Sequence, residues 1–106
     1  MTIIARMTVQ RILLEAIALK KCVIATYNHV EMKLAPYILY QRNDALYVDA
    51  VPLEKAGQPP RFVKLGAFHL AGLNQVALAD EHFEPGALYL PETEKYQGNT
   101  IFAIAT

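Results

Sequence analysis

Five short apolar runs, "CVIATYN", "MKLAPYILYQ", "ALYVDAV", "RFVKLGAF" and "GLNQVALA", follow one another between Cys22 and Ala79, rich in β-branched and aromatic residues and separated by turn-forming ones. Runs of this makeup predict strands, and successive strands joined by short connections pair antiparallel. None of the intervening stretches has helical periodicity, so a sheet built with crossover helices is excluded. The helical stripe lies ahead of them. Val9, Ile12, Leu13, Ala16 and Ile17 follow the spacing i, i+3, i+4, i+7, i+8, which predicts a helix from about Thr8 to Leu19. Thr8 suits its N-cap, and Lys20 and Lys21 suit the negative end of its dipole. The expected fold is mainly β with a leading helix: a small, strongly bent antiparallel sheet or partly closed β-barrel capped by one α-helix.

The connections add detail. "HVE" reads as the turn between the first two strands, and Pro36, which cannot donate to a ladder, marks an edge position, a bulge or a break in the second. "PLEKAGQPP" (Pro52 to Pro60) reads as a loop, and Gly66 as a kink or bulge in the fourth strand. The segment "DEHFEPG" closes the regular part. At 106 residues the chain is one domain, long enough to bury roughly 60–65% of its unfolded surface without a disulfide or a metal. Its expected core spans residues 9–84. The head "TIIARM" and the tail "IFAIAT" are short, apolar and β-capable, and apolar edges seldom stay unpaired. Residues 1–8 and 85–106 are therefore expected to pair with each other or with a second copy.

Composition bounds the function classes. Hydrophobic residues make up 54% of the chain and charged ones 19%, less polar surface than a small monomer usually displays, so a homodimer is expected. Ten Lys and Arg balance ten Asp and Glu; any contact with a phosphate backbone then depends on a local patch. Cys22, the single cysteine, excludes an internal disulfide and a multi-cysteine zinc site, and reads as a small buried hydrophobe in a reducing cytoplasm. No leader-like pattern and no apolar run of membrane-spanning length is present, so a cytoplasmic protein with no membrane partner is expected.

The succession "LLEAIALKKCVIATY", "APYILY", "ALYVDAV", "RFVKLGAF" resembles the WYL domain family of bacterial regulators, from about Val9 to Glu84. Ala16 and Ile17 on the helix, Tyr27 closing the first strand, Pro36 in the second, Tyr47 at the centre of the family's Trp-Tyr-Leu triplet and Arg61 opening the fourth strand are the matching landmarks. Leu46 replaces the triplet's Trp, and Gly66 and Ala67 stand where the family has Asp and Arg, which marks a divergent member. The resemblance implies an Sm-like small β-barrel that binds a nucleotide-like or nucleic-acid ligand and acts with a DNA-reading module. The stretch before Cys22 is too short for two packed helices and a wing, so that reader is expected on a separate regulator chain.

Strand alternation puts Leu46, Val48 and Ala50 on one face, expected to be core, and Tyr47, Asp49 and Val51 on the other. Tyr47 then either covers neighbouring strands or forms a ligand wall. Arg61 is the better anion ligand of the fourth strand because its guanidinium forks onto phosphate, and Lys64 lies an odd number of residues away, on the opposite face of a regular strand. Tyr27, Tyr47, Arg61 and Lys64 are the candidate ligand contacts, with Lys33 a further cation for the patch. Their plainer alternative is packing rings and solvated rim charges.

Catalytic and metal chemistry find little support. His29-x-Glu31 lacks the Pro-Cys-x-x-Cys that a zinc deaminase needs, and His82 within "DEHFE" reads as a solvated acidic turn. The chain has no serine. Its threonines lie in no Gly-rich elbow, and its glycines are too dispersed to cradle a phosphate. His69, beside Phe68, reads as a partly buried histidine with no nucleophile to activate. The expectation is a binding module without enzymatic activity, cofactor or metal.

Overall fold

The structure, a computed structural model, describes residues 2–105, and the backbone alone for residues 2–7. In chain order it comprises α1 (Thr2–Leu19), β1 (Lys21–Tyr27), β2 (Val30–Arg42), β3 (Ala45–Lys55), β4 (Gly66–His69), a 3₁₀ turn (Leu70–Gly72), β5 (Leu73–His82), a second 3₁₀ turn (Glu94–Tyr96) and β6 (Thr100–Ala103). The helix begins six residues earlier than the stripe predicts. Nothing from Thr2 to Leu19 breaks a helix, and each added residue gains a backbone hydrogen bond once the first turn exists. Thr8 is thus inside the helix rather than its N-cap, and the head is not a strand. The predicted stripe does face the core: Leu13, Ala16 and Ile17 are fully buried, and Val9 and Ile12 pack against them. Leu19, off the stripe, is exposed.

Three two-residue turns set the register of the sheet. Asn28 and His29 join β1 to β2, Asn43 and Asp44 join β2 to β3, and Ala56 and Gly57 fold the end of β3 back onto Gln58; all six residues have positive φ. Positive φ at both central positions is the type I′ geometry, whose twist matches that of the flanking strands. The β1–β2 turn is therefore Asn28–His29, and Glu31 already belongs to β2. Likewise β3 runs on to Lys55, through the first part of the segment expected to be loop.

The strand order is β4-β3-β2-β1-β5, antiparallel throughout. In a flat sheet β4 and β5 would stand about 19 Å apart, four inter-strand spacings. Yet His69 ends one and Leu73 begins the other, and four Cα steps reach about 15 Å at most. The sheet is therefore curled, although no pairing closes β4 onto β5 among the described residues. β2 is long enough to serve two partners on one edge. β1 pairs with residues 30–34 and β6 with residues 38–40. Pro36, which has no N–H to offer, falls in the gap between them and at the bulge in the β3 ladder.

β6 corrects the expectation for the tail. Ile38, Leu39 and Tyr40 pair with Ala103, Phe102 and Thr100 of the same chain, and the backbone N–H of Ile104 donates to the Tyr37 carbonyl at 2.8 Å. Head and tail do not pair as strands.

The predicted fourth strand also shrinks. Only Gly66–His69 pair with β3, opposite Tyr47–Ala50, and residues 61–65 lie outside any strand. Pro52 stands two residues beyond Ala50, the last β3 position paired with β4, and Pro59 and Pro60 precede the segment; none of the three has an N–H to extend that ladder. Gly66 opens β4 without a kink within it.

The core between the inner sheet face and α1 is made by Leu13, Ile17, Val23, Leu34, Leu39 and Val48, all buried to 1% exposure or less. On the outer face Lys33 bridges strands, its Nζ lying 2.8 Å from Glu81 Oε1 and 3.2 Å from Glu54 Oε2. Hydrogen bonds to Glu81 and then Glu54 push its pKa up. Lys33 is thus committed to two carboxylates and does not join a cationic patch.

Candidate functional site

β3 places Val48 and Ala50 in the core, as alternation predicts, but its other face is not a free surface. Asp49 is wholly buried and Val51 nearly so. The chain after β5 crosses this face. The Tyr37 hydroxyl accepts the Gly86 N–H at 2.9 Å, Tyr89 packs between Tyr37 and Tyr96, and Tyr96 meets the ring of Tyr40 edge-on at 5.2 Å. Five of the six tyrosines thereby form one continuous cluster with Tyr47 at its end.

Asp49 is the polar centre of that cluster. The Tyr40 hydroxyl donates to its Oδ1 at 2.6 Å, the Tyr96 hydroxyl to its Oδ2 at 2.5 Å, and Lys95 Nζ lies 2.8 Å from Oδ2. Lys95 also rides over the rings of Tyr40 and Tyr96, 5.5 and 5.4 Å from their centroids. A buried carboxylate persists only when charge and hydrogen bonds replace water, and these three groups do so. Burial, and then the hydrogen bonds to Asp49, push the Tyr40 and Tyr96 hydroxyls well above the ordinary phenol range. Burial, followed by the Asp49 charge, raises Tyr89 as well. The arrangement locks the tail onto the sheet and offers no open position to a substrate.

The four candidate ligand contacts are not brought together. Tyr47 is stacked on both sides, by Tyr40 of β2 at 6.0 Å and by His69 of β4 at 5.0 Å, so neither ring face is free to stack on a base. Its covering role is the one the geometry favours. Tyr27 lies on the opposite face of the sheet, edge-on to Phe68 at 5.1 Å. Arg61 and Lys64 stand on the irregular segment ahead of β4, both exposed, and neither forms an ion pair among the described residues. They are not on opposite faces of a strand, since no strand forms there.

Tyr27 also explains Gly72. A Cβ added to Gly72 would sit 2.9 Å from Cε1 of the Tyr27 ring. Gly72→Ala is expected to push that ring off Phe68 and cost about 1–3 kcal/mol, the usual range for overpacking. Urea unfolding measures the loss, and Tyr27→Leu in the same chain should recover most of it. A variant as stable as the parent would show that the ring is free to move.

Between the two cations lies a residue that strand alternation did not single out. Phe62 is 76% exposed and Val63 59% exposed, so "RFVK" presents an unshielded aromatic ring flanked by unpaired charges. The available signal was Pro59-Pro60 just ahead of Arg61-Phe62, a proline pair that reads as loop once the strand is given up.

The remaining candidates are dispersed. His29 sits at an exposed turn, Glu31 and His82 are exposed, and Cys22 is buried, where burial and the nearby Glu81 push its thiol pKa up. Among the described residues no three His, Cys, Asp or Glu side chains are grouped to hold a metal, and no helix is long and apolar enough to cross a membrane. Comparison with known protein families, with curated proteins and with solved structures finds no match.

Proposed function

We propose that this chain is a non-enzymatic, WYL-like regulatory module, a divergent Sm-like small barrel, that binds single-stranded nucleic acid or a nucleotide through Arg61, Phe62 and Lys64. The curled strand order and leading helix support the small-barrel reading. The observation that carries the binding role is Phe62, an aromatic ring held in solvent between two cations that no carboxylate neutralises among the described residues. A large exposed ring is costly to leave in water, and a base stacks on it while the flanking cations take up phosphate. Tyr27 and Tyr47, occupied by other rings, support the scaffold and do not touch the ligand. A DNA-reading regulator is the partner through which such binding acts on transcription.

Fluorescence anisotropy with a labelled oligothymidylate or oligouridylate tests this. Phe62→Ala is expected to weaken binding by about 5- to 100-fold, the loss of one stacked base. Arg61→Ala and Lys64→Ala should each lower the slope of log affinity against log salt by about one. A parent protein that binds neither oligonucleotide at low salt, or variants that bind as the parent does, would remove this function.

A second reading, an oligomerisation or partner-docking barrel, is favoured by the tail, where Leu88, Leu90, Ile101 and Phe102 remain exposed. Light scattering after size exclusion separates the two: a dimer that Leu90→Glu converts to monomer places these residues in an interface.

A further inference from the structure

We propose a second binding site on this chain, for a small organic cation with an apolar body, in the groove between α1 and the adjoining ends of β3 and β4. The groove holds about 400 Å³, within the roughly 300–1,000 Å³ of small-molecule sites. Val9 of α1, Leu46 of β3 and Leu70 of the first 3₁₀ turn give it apolar walls, and Asp44 and His69 supply its polar groups. It lies apart from Arg61, Phe62 and Lys64, none of which lines it.

Of the two, Asp44 is exposed at the rim of the groove and carries the charge it offers. Asp44 is the second residue of the β2–β3 turn, with φ of 63°, so its position is set by the hairpin. It forms no ion pair among the described residues. His69 is the last residue of β4, and its imidazole is fixed by stacking on Tyr47 at 5.0 Å. No hydrogen bond to another described residue engages its ring nitrogens. The Asp44 carboxylate has no ion-pair partner among the described residues and accepts hydrogen bonds from a donor that enters the groove. A primary ammonium can donate to that carboxylate at the rim while its alkyl or aryl body covers Val9, Leu46 and Leu70. An anion in the same place would face Asp44 with no compensating Lys or Arg among the described lining residues.

The test uses three probes of one shape, 2-phenylethylamine, 2-phenylethanol and 3-phenylpropionate, titrated at pH 7 into isotopically labelled protein while the amides of Ala45, Leu46, Leu70 and Ala71 are followed. Probes of this size are expected to bind with dissociation constants on the order of millimolar. The amine should move those amides saturably and the carboxylate should not. Asp44→Asn, which suits a positive φ, should weaken the amine by about tenfold, leave the alcohol unchanged and leave oligonucleotide affinity as in the parent. Loss of oligonucleotide binding with the amine response intact would overturn only the function proposed above. Absence of saturable shifts with the amine, equal binding of amine and carboxylate, or an Asp44→Asn protein that binds the amine as the parent does would each overturn the site.

Discussion

Asp49→Ala is expected to lower the free energy of unfolding by about 3–5 kcal/mol, the cost of removing one member of a buried, hydrogen-bonded charge pair. The substitution leaves the Tyr40 and Tyr96 hydroxyls without their acceptor and Lys95 without its counter-charge. Each buried hydroxyl so orphaned costs about 1–3 kcal/mol, consistent with that total. Lys95→Met should be milder, because its ammonium is partly in water and leaves Asp49 both phenolic donors. Urea unfolding followed by circular dichroism measures both variants. The tail should also loosen locally in Asp49→Ala, seen as faster hydrogen exchange at Gly86 and Ile104, whose amides are tied to Tyr37. A loss below about 1 kcal/mol would mean that water enters and solvates the cluster.

Alkaline pH should unfold the protein through the same cluster. The Tyr40 and Tyr96 hydroxyls have pKa values raised by burial and by Asp49, so above pH ~10 the unfolded chain loses these protons while the folded chain keeps them. A raised folded-state pKa contributes stability that is complete below the unfolded value and declines as pH rises past it. Each tyrosine then removes up to about 1.4 kcal/mol per pH unit, so the pair removes about 4 kcal/mol by pH 11.5. Lys33, raised by Glu81 and Glu54, loses its proton over a neighbouring range. Tyr40→Phe isolates the tyrosine share: it should be less stable than the parent at pH 8 and show a shallower decline between pH 10 and 11.5. Parallel declines in the two proteins would show that the Tyr40 hydroxyl is no harder to ionise in the folded state than in the unfolded one.

The mechanical role of Asp49 bears on where function resides. The face of β3 that alternation exposes is taken up by the chain's own tail, and the aromatic rings that would suit a ligand wall are consumed in holding it. The two proposed sites accordingly lie elsewhere, on the Arg61–Lys64 segment that projects beyond the sheet and in the groove beside α1. Two rings among the candidate contacts thus serve the scaffold, while the two cations remain accessible.

The sequence alone determined the helix-then-strands order, the buried stripe of Leu13, Ala16 and Ile17, the first antiparallel pair and an irregularity at Pro36, which the structure resolves as a bulge. Each of these depends on side-chain periodicity or on a missing N–H, properties that act within a few residues and can be read along the chain. Tertiary structure alone decided that Tyr89 and Tyr96 return to cover Asp49, that the tail supplies a sixth strand where β1 leaves β2 uncovered, and that residues 61–65 stay out of the sheet. These outcomes depend on which distant groups meet: a carboxylate in mid-strand is a surface residue until two hydroxyls and an ammonium arrive from elsewhere to replace its water. Local pattern carries no record of those partners, so it set the layout of the chain and left the filling of its faces to the fold.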